Sequence, residues 1–281
     1  MGQKRESRYV CIARLAYVLA RRALPAHTHR NSRKTYTQPQ LAACVLMMFY
    51  MDLSYRDMEE WLLATEQVCA VLELTEVPDH TTLYRMYERM RVGLLDEMNA
   101  QLLEAFQPMG ETVAVDATGY SFSQASLHFI TASGRRSFGH FMKGYYVVDT
   151  QTQLILAWTA TRAPSSDMAY LDGLRHKTYL IKQRLKHTAA YILLGDRGFD
   201  GKDVHPGDLI PPRTPVIRPD RLLRRELVDS ARLDGIWGQR WISETVHSVI
   251  KRKSGSTIRS RLYWHQFREP LAKGLVYNLH R

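Results

Sequence analysis

Residues 190–194 read Ala-Tyr-Ile-Leu-Leu, a short, wholly apolar run that stops at Gly195-Asp196. A strand with apolar side chains on both faces is buried only where a sheet is covered on both sides, so this segment predicts a sheet with helices above and below it. Its neighbours agree. Glu111–Thr118 alternates apolar residues and carries Asp116 near its end, while Gly144–Asp149 and Gln153–Ala160 are rich in Val, Ile, Tyr and Trp. The turn Asp149-Thr150-Gln151-Thr152 joins the latter two as a hairpin. Pro164-Ser165-Ser166-Asp167 starts a helix that runs to about Lys186, and a proline-rich loop over 201–220 holds one piece of strand near Val216. Two helices follow, from Gly238 to Lys253 and from His265 to Leu279. The order of strand, hairpin, helix, strand, loop and helix is that of an α/β fold with a mixed sheet.

The first hundred residues differ in pattern. Residues 6–23 predict a helix with Val10, Leu15, Val18 and Leu19 as its apolar positions, followed by a basic linker from His27 to Lys34. The run from Gln38 to Met51 suits a buried helix, and Ser54 with Asp57 marks the start of another. Asp79 caps a helix bearing Thr81, Tyr84, Arg85 and Arg89, and a last helix spans Leu94–Phe106. Two short helices ending in one with those four side chains resemble a helix-turn-helix, whose second helix would read bases. A helical packing domain without base contacts is the alternative, in which case the basic arm of residues 4–34 touches phosphates. The composition changes at Pro108-Met109-Gly110. The expected domains are therefore a helical one over 1–108, a candidate for DNA binding, and an α/β one over 109–281.

The net charge of +11 is unevenly placed. Residues 1–34 hold nine Lys or Arg against Glu6 alone, residues 35–110 hold four basic and twelve acidic residues, and the remainder is again basic. A basic catalytic half suits a nucleic acid, because neutralising phosphates supplies much of the binding energy. Charge alone fits RNA or a membrane surface equally. No stretch approaches the roughly 20 apolar residues of a membrane span, and the start MGQKRESRYV lacks an apolar signal core. The expectation is an intracellular protein without a membrane partner. Cys11, Cys44 and Cys69 have neither metal-clamp spacing nor an even number, and they read as buried thiols.

Asp116 and Asp196 at the ends of neighbouring strands, with Glu244 on a late helix, form a candidate set for two-metal phosphoryl transfer, which needs a few hard oxygen ligands around closely spaced ions. An acidic residue at a strand end is more often solvated or a cap, so the company around Glu244 matters. At about 100° per residue, Trp237, Arg240, Glu244 and Lys251 fall within an arc of about 60° on one helix face. Basic residues on that face suit phosphates beside a metal-holding carboxylate, although a plain Arg240–Glu244 pair remains open. Arg197 beside Asp196, Lys143 at the mouth of the hairpin, and Lys253 in the basic run Lys251-Arg252-Lys253 with Arg259 and Arg261 are further candidates for phosphate contact, with a solvated surface role as the alternative for each. Asp167 reads as a helix cap, and as the replacement ligand should one of the three fail; His247 reads as a helix-surface residue.

Trp237-x2-Arg240-x3-Glu244-x6-Lys251 resembles the Tyr-x2-Arg-x3-Glu-x6-Lys signature of bacterial and archaeal insertion-sequence transposases. VAVDATGY around Asp116 and LLGDRGFD around Asp196 resemble that family's first and second aspartate motifs, 80 and 48 residues apart from one triad member to the next. HFMKGYYVVDTQTQLILAW and SSDMAYL resemble the stretches between them. The resemblance runs from about residue 110 to the C-terminus. It implies a ribonuclease-H-like catalytic core with a DDE triad of Asp116, Asp196 and Glu244, and Mg²⁺ as cofactor with Mn²⁺ as substitute, two ions per site. It also implies double-stranded DNA partners, cleavage at terminal inverted repeats, and joining of the 3′ ends to target DNA by a homodimer on paired ends. Such an enzyme acts in the cytoplasm, on the nucleoid. Trp237 stands where the signature has Tyr, which preserves a ring for stacking or packing and puts any role of a phenolic hydroxyl in doubt. A nuclease on the same scaffold that does not join, or a DNA-binding derivative that has lost catalysis, are the alternatives.

Overall fold

The computed structural model describes residues 6–31, 33–108, 110–123, 141–186, 191–201, 204–213 and 218–281. Lys4 and Arg5 of the basic arm, Met109, Ala190 and Val216 lie outside the described residues. Six helices come first: α1 (Arg8–Ala23), α2 (Gln38–Tyr50), α3 (Tyr55–Leu63), α4 (Glu66–Val71), α5 (His80–Arg89) and α6 (Val92–Phe106). Then follow β1 (Thr112–Phe122), β2 (Phe141–Asp149), β3 (Ile155–Ala163), α7 (Leu171–Arg184), β4 (Ile192–Leu194), α8 (Pro219–Leu233), α9 (Trp241–Ser254), β5 (Thr257–Ile258) and α10 (Tyr263–His280). The class is α/β with a mixed five-stranded sheet. No described helix is long and apolar enough to cross a membrane.

By its contacts the chain divides into two units, Met1–Leu102 with Lys253–Gly255 and Leu275–Arg281, and Leu103–Arg252 with Ser256–Gly274. The division falls at 102 rather than at 108, and the last residues belong to the first unit. The ends of α10 explain the second change: Asn278 donates to Asn99 at 2.7 Å, and the Tyr50 hydroxyl lies 3.1 Å from His280 Nδ1.

In the first unit α2 is buried along its whole length, which is why its sequence shows no polar face. Thr37 and Gln40 close a capping box at its start, and Ser54 with Asp57 closes another at α3, the second as the sequence predicts. The Asp79 carboxylate accepts from the amides of Thr81 and Thr82 and starts α5. Helix α4 fills the segment between α3 and α5, so the tight turn of a helix-turn-helix is not formed. Leu15 and Val18 of α1 are exposed, and Ala13, Ala16 and Ala20 complete its buried stripe instead. Of the three thiols only Cys44 is buried; Cys11 and Cys69 are half-buried and donate to Glu6 and to the Leu62 carbonyl.

In the second unit the strand order is β3-β2-β1-β4, with β5 also pairing β1. β1, β2 and β3 are antiparallel neighbours, whereas β4 and β5 run parallel to β1. Both faces are covered. Val113, Val115, Tyr145, Val147 and Leu193 pack with Leu171 and Leu174 of α7 on one side. Ala114 and Leu194 pack with Val228 and Ala231 of α8 on the other. Successive β4 residues thus enter opposite cores, which accounts for its unbroken apolar sequence. Helix α8 begins at the end of the proline-rich loop and fills the segment before Trp237.

The hairpin turn is built around Asp149, which is fully buried. Its Oδ1 accepts from the amides of Gln151 and Thr152, at 3.1 and 2.7 Å, and from the Thr152 hydroxyl at 2.9 Å. Asp149→Ala leaves three donors without their acceptor, and we expect it to cost about 2–4 kcal/mol in urea unfolding, with Asp149→Asn, which keeps an acceptor oxygen, costing markedly less. Equal losses would mean that the charge, rather than the turn, is what Asp149 contributes.

Candidate active site

Strand β1 runs to Phe122, so Asp116 lies within it and not near its end as the sequence suggests. One edge of β1 is shared: β4 pairs with Thr112–Ala114 and β5 with Ser121–Phe122. Asp116 stands in the interval between them. Register brings Asp196 to the same place. Ala114 pairs with Leu194, so the residues two positions further along each chain are level as β4 ends. Between them Gly195 passes close to the core, where an added Cβ would meet Ile210 Cγ1 at 3.1 Å and Val115 Cγ1 at 3.2 Å.

The third carboxylate comes from α9, whose buried side includes Ile242, Val246 and Ile250. The Ser243 hydroxyl lies 3.3 Å from Asp116 Oδ2 and 2.7 Å from the Arg240 carbonyl, where this helix meets β1. Asp116, Asp196 and Glu244 line one open cleft of about 800 Å³, together with Arg240, His247, Lys251 and Arg252. Asp116 Oδ1 accepts from the Ala117 amide at 2.8 Å, and Asp196 Oδ1 from the Gly198 amide at 2.8 Å. Glu244 is the exposed member, with 57% of its side chain accessible, and it accepts from Arg240 Nη2 at 2.9 Å. Burial raises the pKa of Asp116 to about 6; the Ala117 amide opposes this, and the charges of Asp196 and Glu244 add to it against the pull of Arg240.

These features bear on whether a divalent cation suits the cleft. The donors are hard carboxylate oxygens, and the half-buried Asp116 is made harder to ionise by burial and by its two acidic neighbours, a cost that the pull of Arg240 only partly offsets. The donor set therefore fits Mg²⁺ or Mn²⁺. Among the described residues no three His, Cys, Asp or Glu side chains are gathered into a ready metal cluster. Glu244 is turned to Arg240 instead.

The other sequence candidates fall in several places. Trp237 and Arg240 belong to a 3-10 turn, Trp237–Arg240, that precedes α9, so they do not continue its α-helical arc. Arg240 and Lys251 nevertheless reach the cleft. The guanidinium groups of Arg232 and Arg240 both lie over the Trp237 ring, 4.7 and 5.5 Å from its centroid. Arg197 is exposed beside Asp196, and Lys253 is exposed and belongs to the first unit. Lys143 points elsewhere. Pairing of Gly119 with Lys143 and of Asp116 with Tyr146 sets Lys143 on the sheet face opposite Asp116. There its ammonium bonds Asp167 Oδ1, which also accepts from the Tyr145 hydroxyl at 2.9 Å. Asp167 is thus an ion-pair partner and not a helix cap. Its Oδ2 adjoins the turn after Asp196: a Cβ on Gly198 would lie 2.9 Å from it and 2.8 Å from Asp196 Oδ1.

His247, expected on the helix surface, is buried on the border between the core side of α9 and the cleft. Its nearness to Val246 and Ile250 on the helix is the signal that locates it. In the first unit Thr81, Arg85 and Arg89 are exposed on α5, and the two arginines line a cavity of about 600 Å³ with Arg33. Tyr84 packs edge-on against Tyr55 at 5.7 Å.

No protein-family model matches the chain, and neither a curated protein nor a solved structure does.

The raised pKa of Asp116 has a consequence for stability. Its folded value near 6 lies above the ordinary 3.8, so the folded state carries the full cost of the charged form above pH 6 and none well below pH 4. Asp116→Asn removes that cost. We expect the variant to be more stable than the parent at pH 8, on the order of 2–3 kcal/mol, with the difference fading as pH falls to 4. Thermal melts across that range check this; a constant difference would mean that Asp116 ionises normally in the folded chain.

Proposed function

We propose that this chain is a DNA transposase with a ribonuclease-H-like core, which cleaves at the ends of its element and joins the 3′ ends to target DNA. The observation that carries the reading is the convergence of Asp116, Asp196 and Glu244 on one cleft whose remaining walls include Arg240, Lys251 and Arg252. The mixed sheet, with one carboxylate on the central strand, one just past β4 and one on a late helix, supports the same reading. So do the three sequence motifs in their order.

Asp116, Asp196 and Glu244 are the residues that would hold the divalent cations. When bound, those ions supply the positive charge that stabilises the phosphate in its transition state and favour ionisation of the attacking hydroxyl. Arg240, Lys251 and Arg252 bind the phosphate backbone, Arg240 being freed for this when Glu244 turns away from it. The two aspartates are fixed by the Ala117 and Gly198 amides, so the substrate meets a site whose geometry is largely set on its sheet side. In the first step water attacks at the element end and a 3′-hydroxyl leaves; in the second that hydroxyl attacks a phosphodiester of the target, and the target's own 3′-oxygen leaves. No covalent bond to the chain is needed. Thr81, Arg85 and Arg89 of α5, with Arg33, offer the first unit a basic surface for the end sequence, and two chains act on the paired ends.

Labelled duplexes carrying the inverted repeats that flank the gene test this directly. With Mg²⁺ we expect cleaved and joined products, and a paired-end complex that holds two chains by native mass measurement. Glu244→Gln should lower both reactions by orders of magnitude and leave end binding nearly unchanged. Lys251→Ala should weaken binding and reduce its salt dependence by roughly one phosphate contact. Cleavage without joining would instead identify a nuclease, and binding without cleavage a DNA-binding derivative. Full activity in a folded Glu244→Gln variant would refute the triad.

A further inference from the structure

Helix α9 carries a buried imidazole to which the proposed chemistry gives no task. His247 is 7% exposed, its ring lies against Tyr146 with centroids 5.6 Å apart, and its Nδ1 is 3.8 Å from Asp116 Oδ2. Its Nε2 is buried without a hydrogen-bond partner. A neutral imidazole has one donor nitrogen and one acceptor nitrogen. Facing a carboxylate, the proton belongs on Nδ1, and Nε2 is left as a lone pair.

The carboxylate needs that donor. Asp116 Oδ1 is held by the Ala117 amide at 2.8 Å, whereas among the described residues Oδ2 has only the longer 3.3 Å contact from the Ser243 hydroxyl. Ser243 has one hydroxyl proton and stands 2.7 Å from the Arg240 carbonyl against 3.3 Å from Oδ2, so the shorter bond takes it. The Nδ1–H of His247, 3.8 Å away, is a further donor facing Oδ2, and a closure of roughly 1 Å brings it to hydrogen-bond distance. We propose that His247 is a positioning residue for Asp116, its Nδ1–H fixing Oδ2 in the orientation in which the carboxylate binds a divalent cation. The inference rests on the metal-dependent reading of the cleft. It adds a residue that touches neither metal nor substrate but sets the affinity of the site, as outer-shell partners of ligating carboxylates do.

The test is Mn²⁺ binding to the full chain, read by the electron paramagnetic resonance of free Mn²⁺, beside melting in EDTA. The variants are chosen by atom. In His247→Asn the amide nitrogen takes the place of Nδ1, in His247→Gln it takes the place of Nε2, and His247→Phe keeps only the ring. Asp116→Asn locates the site. We expect Asp116→Asn to abolish the binding, Phe and Gln at 247 to weaken it roughly ten-fold or more, and Asn to stay within about three-fold of the parent. A purely structural role would lower the melting temperature of the variants and leave the Mn²⁺ affinity of the folded protein unchanged. Parent-like affinity in the Phe or Gln variant overturns this inference alone. If the Phe variant does not fold, Asn binding no better than Gln overturns it too. A parent that shows no Mn²⁺ binding sensitive to Asp116→Asn overturns both this inference and the metal-dependent reading beneath it.

Discussion

The parallel pairing of β1 with β4 is the constraint on which the rest of the second unit depends. Ala114 opposite Leu194 fixes the register, and the register sets Asp116 and Asp196 level where β4 stops. Slipping it by one residue would exchange the two cores, because Leu193 and Leu194 enter opposite sides of the sheet. Apolar burial therefore holds two carboxylates together that would otherwise repel. The same economy governs α9, where Val246 and Ile250 seat the helix and Glu244 is carried to the rim of the cleft.

This arrangement opposes local stability. Asp116 is largely withdrawn from water beside two other carboxylates, and the proximity is visible in its raised pKa. Groups held in an unfavourable charge state by a rigid scaffold are characteristic of sites that bind a counter-charge. Here Arg240 supplies part of it to Glu244 and leaves Asp116 to a donor or a cation. The buried Arg224–Asp200 pair and the Lys143–Asp167 pair settle their charges within the fold, whereas Lys251 and Arg252 remain at the cleft. Basic residues that look alike in sequence thus divide into structural and cleft-lining groups only when their faces are known.

Much of the frame was legible because it rests on short-range signals. The Asp149 turn, the Ser54–Asp57 capping box and the unbroken β4 run each follow from a few neighbouring residues. Long-range effects were not legible. Helix α8 starts at Pro219, a good first position, but it exposes Leu222 and Leu223 and buries Arg224, so its apolar pattern points away from its core. The shared arc of Trp237 with Glu244 assumed one continuous helix, whereas a 3-10 turn changes the phase before Trp241. Lys143 was placed by its nearness to the hairpin, although alternation along β2 sends it to the other face. His247 lies off the arc of Glu244, and its burial follows only once Val246 and Ile250 are taken as the core side of α9.

The central claim is that three carboxylates of this cleft hold divalent cations for phosphodiester chemistry. Anomalous diffraction from crystals of the chain grown with end DNA and Mn²⁺ addresses it most directly. The account predicts Mn²⁺ peaks between Asp116 and Asp196, with Glu244 turned from Arg240 to join them and Arg240 on a phosphate. Mn²⁺ absent from the cleft while DNA occupies it, with Glu244 still paired to Arg240, would contradict the account.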